Sequence, residues 1–147
     1  MTKEDFFNKT ASFISMIHDF EIQLSSNSQI QQVTDLQFSL LKILYFSGSH
    51  STGGLSRCLN INLPNTSREV KKMVLEGYVQ KEVSAVDRRI VQLSLTGQGQ
   101  ELMDRAFTDM MNRFFDESGE WPEDRMKKCL KSMELLSKEI FNPIIDR

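Results

Sequence analysis

The stretch INLPNTSREVKKMVLEG, residues 61 to 77, constrains this chain more than any other. Asn62 is placed to cap a helix, its side-chain oxygen accepting an orphan N–H of the first turn. Pro64 is tolerated in that turn, where its missing N–H has no helical partner to lose. Leu63, Thr66, Val70, Met73 and Val74 recur at helical spacing and form one face for packing. The opposite face carries Asn65, Arg68, Lys71 and Lys72. Gly77 ends the helix in a conformation that costs glycine little. Most helices with a basic outer face are simply solvated. A DNA major groove is the alternative, since Arg can read guanine edges, Asn can read adenine and Lys can meet phosphate. The neighbouring segments favour the groove.

Upstream, Thr34-Asp35-Leu36-Gln37 forms a capping box, with Thr34 bonding the Gln37 N–H and Gln37 reaching back. It opens a short helix, Leu36 to Phe46. Phe38, Leu40, Leu41, Ile43 and Leu44 make it apolar on so many sides that it belongs at the centre of a core. Residues 47–51 read as a turn. Thr52 to Asn60 reads as another short helix, Leu55 and Leu59 inward with Cys58 beside them. Gly53 and Gly54 each weaken its first turn by about 0.5–1 kcal/mol against Ala. Two short helices joined by a few residues, the second basic outside, make a helix-turn-helix.

After Gly77 the hydrophobic period changes from helical to alternating. Tyr78, Val79, Lys81 and Val83 form one strand, and Ile90, Val91, Leu93 and Leu95 the next. Ser84 to Arg89 is the hairpin tip, with adjacent Arg88 and Arg89. A basic tip can enter a minor groove, whose negative potential attracts Arg. Asp87 would support an arginine there through a charge-assisted bond. The plainer reading is a solvated turn with a weak surface ion pair. Directly after a helix-turn-helix, the wing is the better reading.

The two ends of the chain are greasy. Residues 5–24 carry Phe6, Phe13, Ile17, Phe20 and Leu24 on one stripe, with Phe7 and Ile14 beside it. Residues 25–32 read as a polar loop. Thr96 caps a helix from Gly97 to about Glu117, striped by Leu102, Ala106, Met110 and Phe114 and flanked by Met103, Phe107, Met111 and Phe115. After a break at 118–121, Pro122 fits the first turn of a last helix, with Met126, Cys129, Leu130, Met133, Leu136, Ile140 and Phe141, which Pro143 ends. So much apolar surface at both ends implies an obligate dimer built from them.

The bulk composition fits one domain of 147 residues. The net charge of −2 is low for a nucleic-acid binder, but its distribution matters more. Residues 57–89 hold seven basic against four acidic side chains, whereas the segments on either side are net acidic. Cys58 and Cys129 are too far apart in sequence to suggest a metal motif or a disulfide framework. A clustered zinc-ligand set is not expected of the two histidines, His18 and His50. No signal peptide or transmembrane run is evident, and a reducing cytoplasm is the expected location. No nucleophile–base pair, metal set or phosphate loop points to an enzyme, and no cofactor is implied.

Asp87-Arg88-Arg89-Ile90-Val91-Gln92-Leu93-Ser94-Leu95-Thr96-Gly97-Gln98-Gly99 makes the pattern specific. Asp-x-Arg, an alternating strand, then Leu-Thr-x-x-Gly resembles the wing and following helix start of the MarR family of bacterial transcription regulators. Thr34-x-x-Gln37, Leu55-Ser56 and the run from Met73 to Val79 extend the likeness over essentially the whole chain.

The resemblance implies a mainly α fold with a small β-hairpin wing. It is a winged helix-turn-helix over about 34–96, with dimerisation helices over about 5–24 and 97–142. It also implies a homodimer on a pseudo-palindromic operator of double-stranded DNA, usually as a repressor, and often responsive to a small phenolic or other apolar ligand. By position, Asn65, Ser67, Arg68, Lys71 and Lys72 would face DNA from the recognition helix. Arg88 and Arg89 would do so from the wing, with Asp87 as support.

The chain departs from that pattern at Gly53-Gly54, where the family usually has polar, better helix-forming residues. It departs again at Glu69, which either pairs with a lysine or reads cytosine. The peroxide-sensing branch carries a cysteine in the N-terminal helix, and this chain has none there, so Cys58 and Cys129 are expected to be inert. The competing reading is a protein-interaction module that keeps the fold without reading DNA, motivated by the acidic balance and the Gly-Gly pair.

Overall fold

The computed structural model describes residues 1–25, 32–83, 87 and 89–142. Of the sequence expectations, most of the polar loop at 25–32, the tip residues 84–86, Arg88 and Pro143 lie outside the described residues. The chain forms two compact units, Met1–Met111 and Asn112–Arg147.

In the first unit, α1 spans Lys3–Ser25, α2 Asp35–Ser47, α3 Thr52–Cys58 and α4 Leu63–Leu75, followed by strands β1 (Val79–Val83) and β2 (Val91–Leu95) and by most of α5 (Gly97–Ser118), whose last residues belong to the second unit. Local chemistry sets the starts. Thr34 Oγ1 accepts the Gln37 N–H at 3.2 Å and Gln37 Oε1 accepts the Thr34 N–H at 2.9 Å, closing the capping box of α2. Ser51 caps α3 by accepting the Gly54 N–H at 3.0 Å. The glycine pair therefore starts a helix rather than breaking one.

The core of this unit is Leu40, Leu41 and Leu44 of α2, Leu55 of α3, Val70 and Met73 of α4, Tyr78, Val79 and Leu93 of the hairpin, and Leu102 and Met103 of α5. α2 is central, as its sequence predicts. It is not apolar on every side that matters, however. Phe46 is 67% exposed, while polar Gln37 is buried because its amide is spent on the capping box. Cys58 is likewise exposed rather than tucked beside Leu55, and Leu59 is half-buried. The exposed thiol corrects the expectation of a buried one.

The hairpin pairs antiparallel, from Val79 opposite Leu95 to Val83 opposite Val91. Residues 47–51 do more than turn. His50 donates its N–H to the Leu93 carbonyl at 3.1 Å and accepts the Leu93 N–H at 2.8 Å, adding a one-residue rung to β2. The junction into α5 is tight. Thr96 Oγ1 accepts the Gly99 N–H at 3.0 Å, and the Thr96 N–H reaches the Tyr78 carbonyl at 3.0 Å. A Cβ on Gly99 would lie 2.1 Å from the Tyr78 carbonyl oxygen, so only glycine fits there.

In the second unit, α6 spans Glu123–Leu136 and continues as a π-helical turn, Ser137–Phe141. The sequence implied one uninterrupted α-helix to Pro143, and period counting cannot distinguish the wider turn. Pro122 precedes the helix at its cap position instead of lying inside its first turn, having no N–H to contribute there. Trp121 stacks near Phe114, with centroids 5.0 Å apart, and carries the Arg125 guanidinium 3.9 Å above its ring.

Candidate nucleic-acid interface

The sequence placed the candidate site on α4 and the wing, and both are now definable. Asn62 caps α4, its Oδ1 accepting the Asn65 N–H at 2.9 Å. The turn before it is tied twice: Ser56 donates its hydroxyl to the Ile61 carbonyl at 2.6 Å, and the Ile61 N–H returns to the Ser56 carbonyl at 3.1 Å. Asn60 adopts φ 51°, the left-handed region that Asn tolerates, and this lets two helices meet across so short a link. The angle between α3 and α4 is thus set by local bonds as well as by Leu55 in the core.

The back of α4 is closed. Thr66 and Met73 are fully buried and Val70 nearly so, and the Thr66 hydroxyl is satisfied by the Asn62 carbonyl at 3.1 Å. Leu63, which the period put on this face, is 51% exposed because it sits in the first turn, beyond the packed segment. The front is open. Arg68, Lys71 and Lys72 are exposed, and Asn65 and Ser67 are half-buried. Among the described residues, neither Arg68 nor Lys71 is paired with a carboxylate, so both guanidinium and ammonium face solvent. Lys72 is different: its Nζ lies 2.8 Å from Glu69 Oε1. In the free protein, Glu69 is therefore paired with a lysine.

On the wing, Asp87 and Arg89 are both exposed. Asp87 Oδ1 accepts the backbone N–H of Arg89 at 2.9 Å, and the Asp87 carbonyl accepts the Ile90 N–H at 3.0 Å. Asp87 thereby holds the main chain of Arg89 and fixes where the residue starts into β2. Arg88 lies outside the described residues. Sequence reasoning overlooked two residues that shape this surface. Gly99 allows α5 to seat against Tyr78, a requirement latent in the Leu-Thr-x-x-Gly spacing. His50 ties the segment before α3 to β2, and nothing in its sequence context signals that.

Among the described residues no group of three or more His, Cys, Asp or Glu could hold a metal, and no helix is long and apolar enough to cross a membrane.

The MarR family model matches residues 33–91, the segment that runs from before α2 to the first residue of β2. No curated protein matches the sequence. Solved structures share the fold. The transcriptional regulator Tm0710 from Thermotoga maritima aligns with TM-score 0.70 at 20% identity, covering 90% of this chain and 98% of its own. A MarR family protein from Bacillus stearothermophilus aligns with TM-score 0.73 at 14% identity, covering 95% and 99%. MepR in the S. aureus MepR–DNA complex aligns with TM-score 0.56 at 22% identity, covering 83% and 95%. The lobe that holds α4 thus matches the MarR family model, and the chain shares the winged helix-turn-helix fold of these structures.

Proposed function

We propose that the protein is a sequence-specific regulator of transcription that grips duplex DNA as a homodimer. One observation carries the reading: α4 turns a closed apolar back to the lobe and an open cationic front to solvent, on which Arg68 and Lys71 have no carboxylate partner among the described residues. In this reading α4 enters a major groove and Arg89 reaches an adjacent minor groove. Asn65 and Ser67 contact base edges or phosphate beside the cations, and Arg88 joins Arg89 at the wing tip. Phosphate neutralisation supplies a salt-dependent affinity, and base contacts supply register. MepR, a protein of the same fold, is known in complex with DNA.

The dimer rests on uncovered apolar faces. α1 exposes Phe6, Phe7, Ile14 and Ile17 by 45–68%, and α6 exposes Leu130 and Met133 by 58 and 61%. Two recognition helices about 34 Å apart would meet successive major-groove turns of a pseudo-palindrome. Repression, and release by a small ligand, complete the reading. A cavity of about 430 Å³ lies against α5, floored by Leu102 and Ala106 and rimmed by Asp104, Arg105, Asp109 and Gln32. Its size suits a small organic molecule, and its polar rim of Asp104, Asp109, Arg105 and Gln32 suits a phenolic hydroxyl better than a wholly apolar compound. The interaction-module alternative loses one of its two motives, since Ser51 caps α3 through the glycine pair.

Gel shift on the segment upstream of the protein's own coding sequence, at two salt concentrations, tests the central claim. Arg89→Ala is expected to weaken that binding by an order of magnitude or more with an unchanged melting temperature. Intact binding by the variant would refute the wing assignment, and no shift by the wild type at either salt would leave the interaction module. Thermal-shift screening with phenols, followed by loss of the DNA complex on addition, tests the effector.

A further inference from the structure

We infer that Glu69 withholds Lys72 from DNA phosphate, so that the cationic front of α4 acts through Arg68 and Lys71 and its affinity is held below what its charge would allow. This rests on the DNA-binding reading above.

Glu69 follows Thr66 by three residues and precedes Met73 by four, and both of those are fully buried. Its carboxylate is thereby drawn to the flank of α4, where its side chain is only 12% exposed. Oε1 lies 2.8 Å from Lys72 Nζ, and Oε2 is buried with no hydrogen-bond partner among the described residues. A carboxylate in that position depends on its lysine. If Lys72 left for a phosphate, both oxygens would be unpaired in a place that water barely reaches, which is the costly arrangement for a charge. The incoming phosphate would also bring a second negative charge toward it. Glu123–Lys127 on α6 shows the contrast, with side chains 74% and 62% exposed, a pair that water can replace on both sides. The same burial keeps Glu69 away from the front of the helix, where a cytosine amino group would have to be met.

The test uses the full-length protein and a labelled mixed-sequence duplex titrated over about 50–200 mM salt, because phosphate contacts do not require the operator. Glu69→Gln, which keeps shape and loses charge, is expected to steepen the salt slope by about 0.9 and to tighten binding roughly fivefold or more at the lowest salt, as one added phosphate contact would. Lys72→Ala alone is expected to leave the slope unchanged, and in the Glu69→Gln background to abolish the gain. Lys71→Ala serves as the reference and should flatten the slope by about 1.

A slope flattened by Lys72→Ala in the wild-type background overturns the tether. So does a Glu69→Gln gain that persists in the double variant, since it would then report only general removal of negative charge. In the free protein, the Lys72 ammonium resonance should change in Glu69→Gln, and an unaltered resonance overturns the tether without any DNA present. No duplex binding by the wild type overturns the DNA reading and this inference with it.

Discussion

The lobe from α2 to the first half of α5 and the terminal helices solve the problem of apolar side chains in opposite ways. Every buried apolar side chain among the described residues falls between Leu40 and Ala106. α1, at 23 residues the longest helix, buries none, and neither does α6. Yet Phe7 is 68% exposed and Met16 59%, values a free-standing helix would not keep without a use for them. The lobe closes its own core and exposes charge, whereas the ends expose grease and hold no core. A single chain thus carries one part that closes its own core and another that leaves apolar faces uncovered, and the former is the one that presents Arg68, Lys71 and Arg89.

That contrast can be broken or sharpened experimentally. Gly99→Val should have the largest effect, because its Cβ would overlap the Tyr78 carbonyl oxygen at 2.1 Å and backbone cannot yield as a side chain can. A loss of roughly 3 kcal/mol or failure to fold is expected in urea denaturation. Leu40→Ala, at a fully buried position, should cost about 2–5 kcal/mol in the same measurement. Thr34→Ala removes one side of the capping box and should cost about 1 kcal/mol. If any of these leaves the lobe unaffected, it is not the self-sufficient part described.

The terminal helices should behave differently. Phe7→Ser with Met16→Ser should change lobe unfolding by no more than about 0.5 kcal/mol per site, as surface substitutions do. It should instead shift the monomer–dimer equilibrium in sedimentation toward monomer. A dimer unmoved by that pair would leave α1 with no role in assembly.

The smallest effect concerns pH. Tyr45 donates its hydroxyl to Asp104 Oδ1 at 2.8 Å, and this bond raises the phenol above its ordinary value of 10.0. The raised group contributes stability below pH 10 that is lost as pH climbs through the folded value. The difference in urea midpoint between wild type and Tyr45→Phe should therefore be constant at neutral pH and shrink in strong alkali. A gap that widened instead would mean that the Asp104 contact is not the source.

Much of the lobe is legible residue by residue. Thr34, Asn62 and Thr96 each announce a helix start, and each does cap, because a capping bond spans three residues and needs nothing from the rest of the chain. The helical period of α4 and the alternation of the hairpin likewise follow from geometry internal to each element. The cationic front was legible for the same reason: a buried back at that spacing leaves only one side for Arg68 and Lys71.

Other features arise only from placement. His50 pairs with Leu93 across more than forty residues, and no local pattern encodes which strand a turn will meet. Cys58 follows Leu55 by three residues yet faces solvent, because burial in the last turn of so short a helix depends on what packs against it and not on its period. Glu69 reads as one more charge on a basic helix, and only the packing of Thr66 and Met73 beside it decides that its carboxylate is nearly out of reach of water. The sequence by itself determined which segments become helices and strands, where they start and which side of each is apolar, since those are short-range effects of capping and period. Tertiary structure alone decided which carbonyl crowds Gly99, which charges are screened and which remain open, because burial is set by neighbours that are remote along the chain.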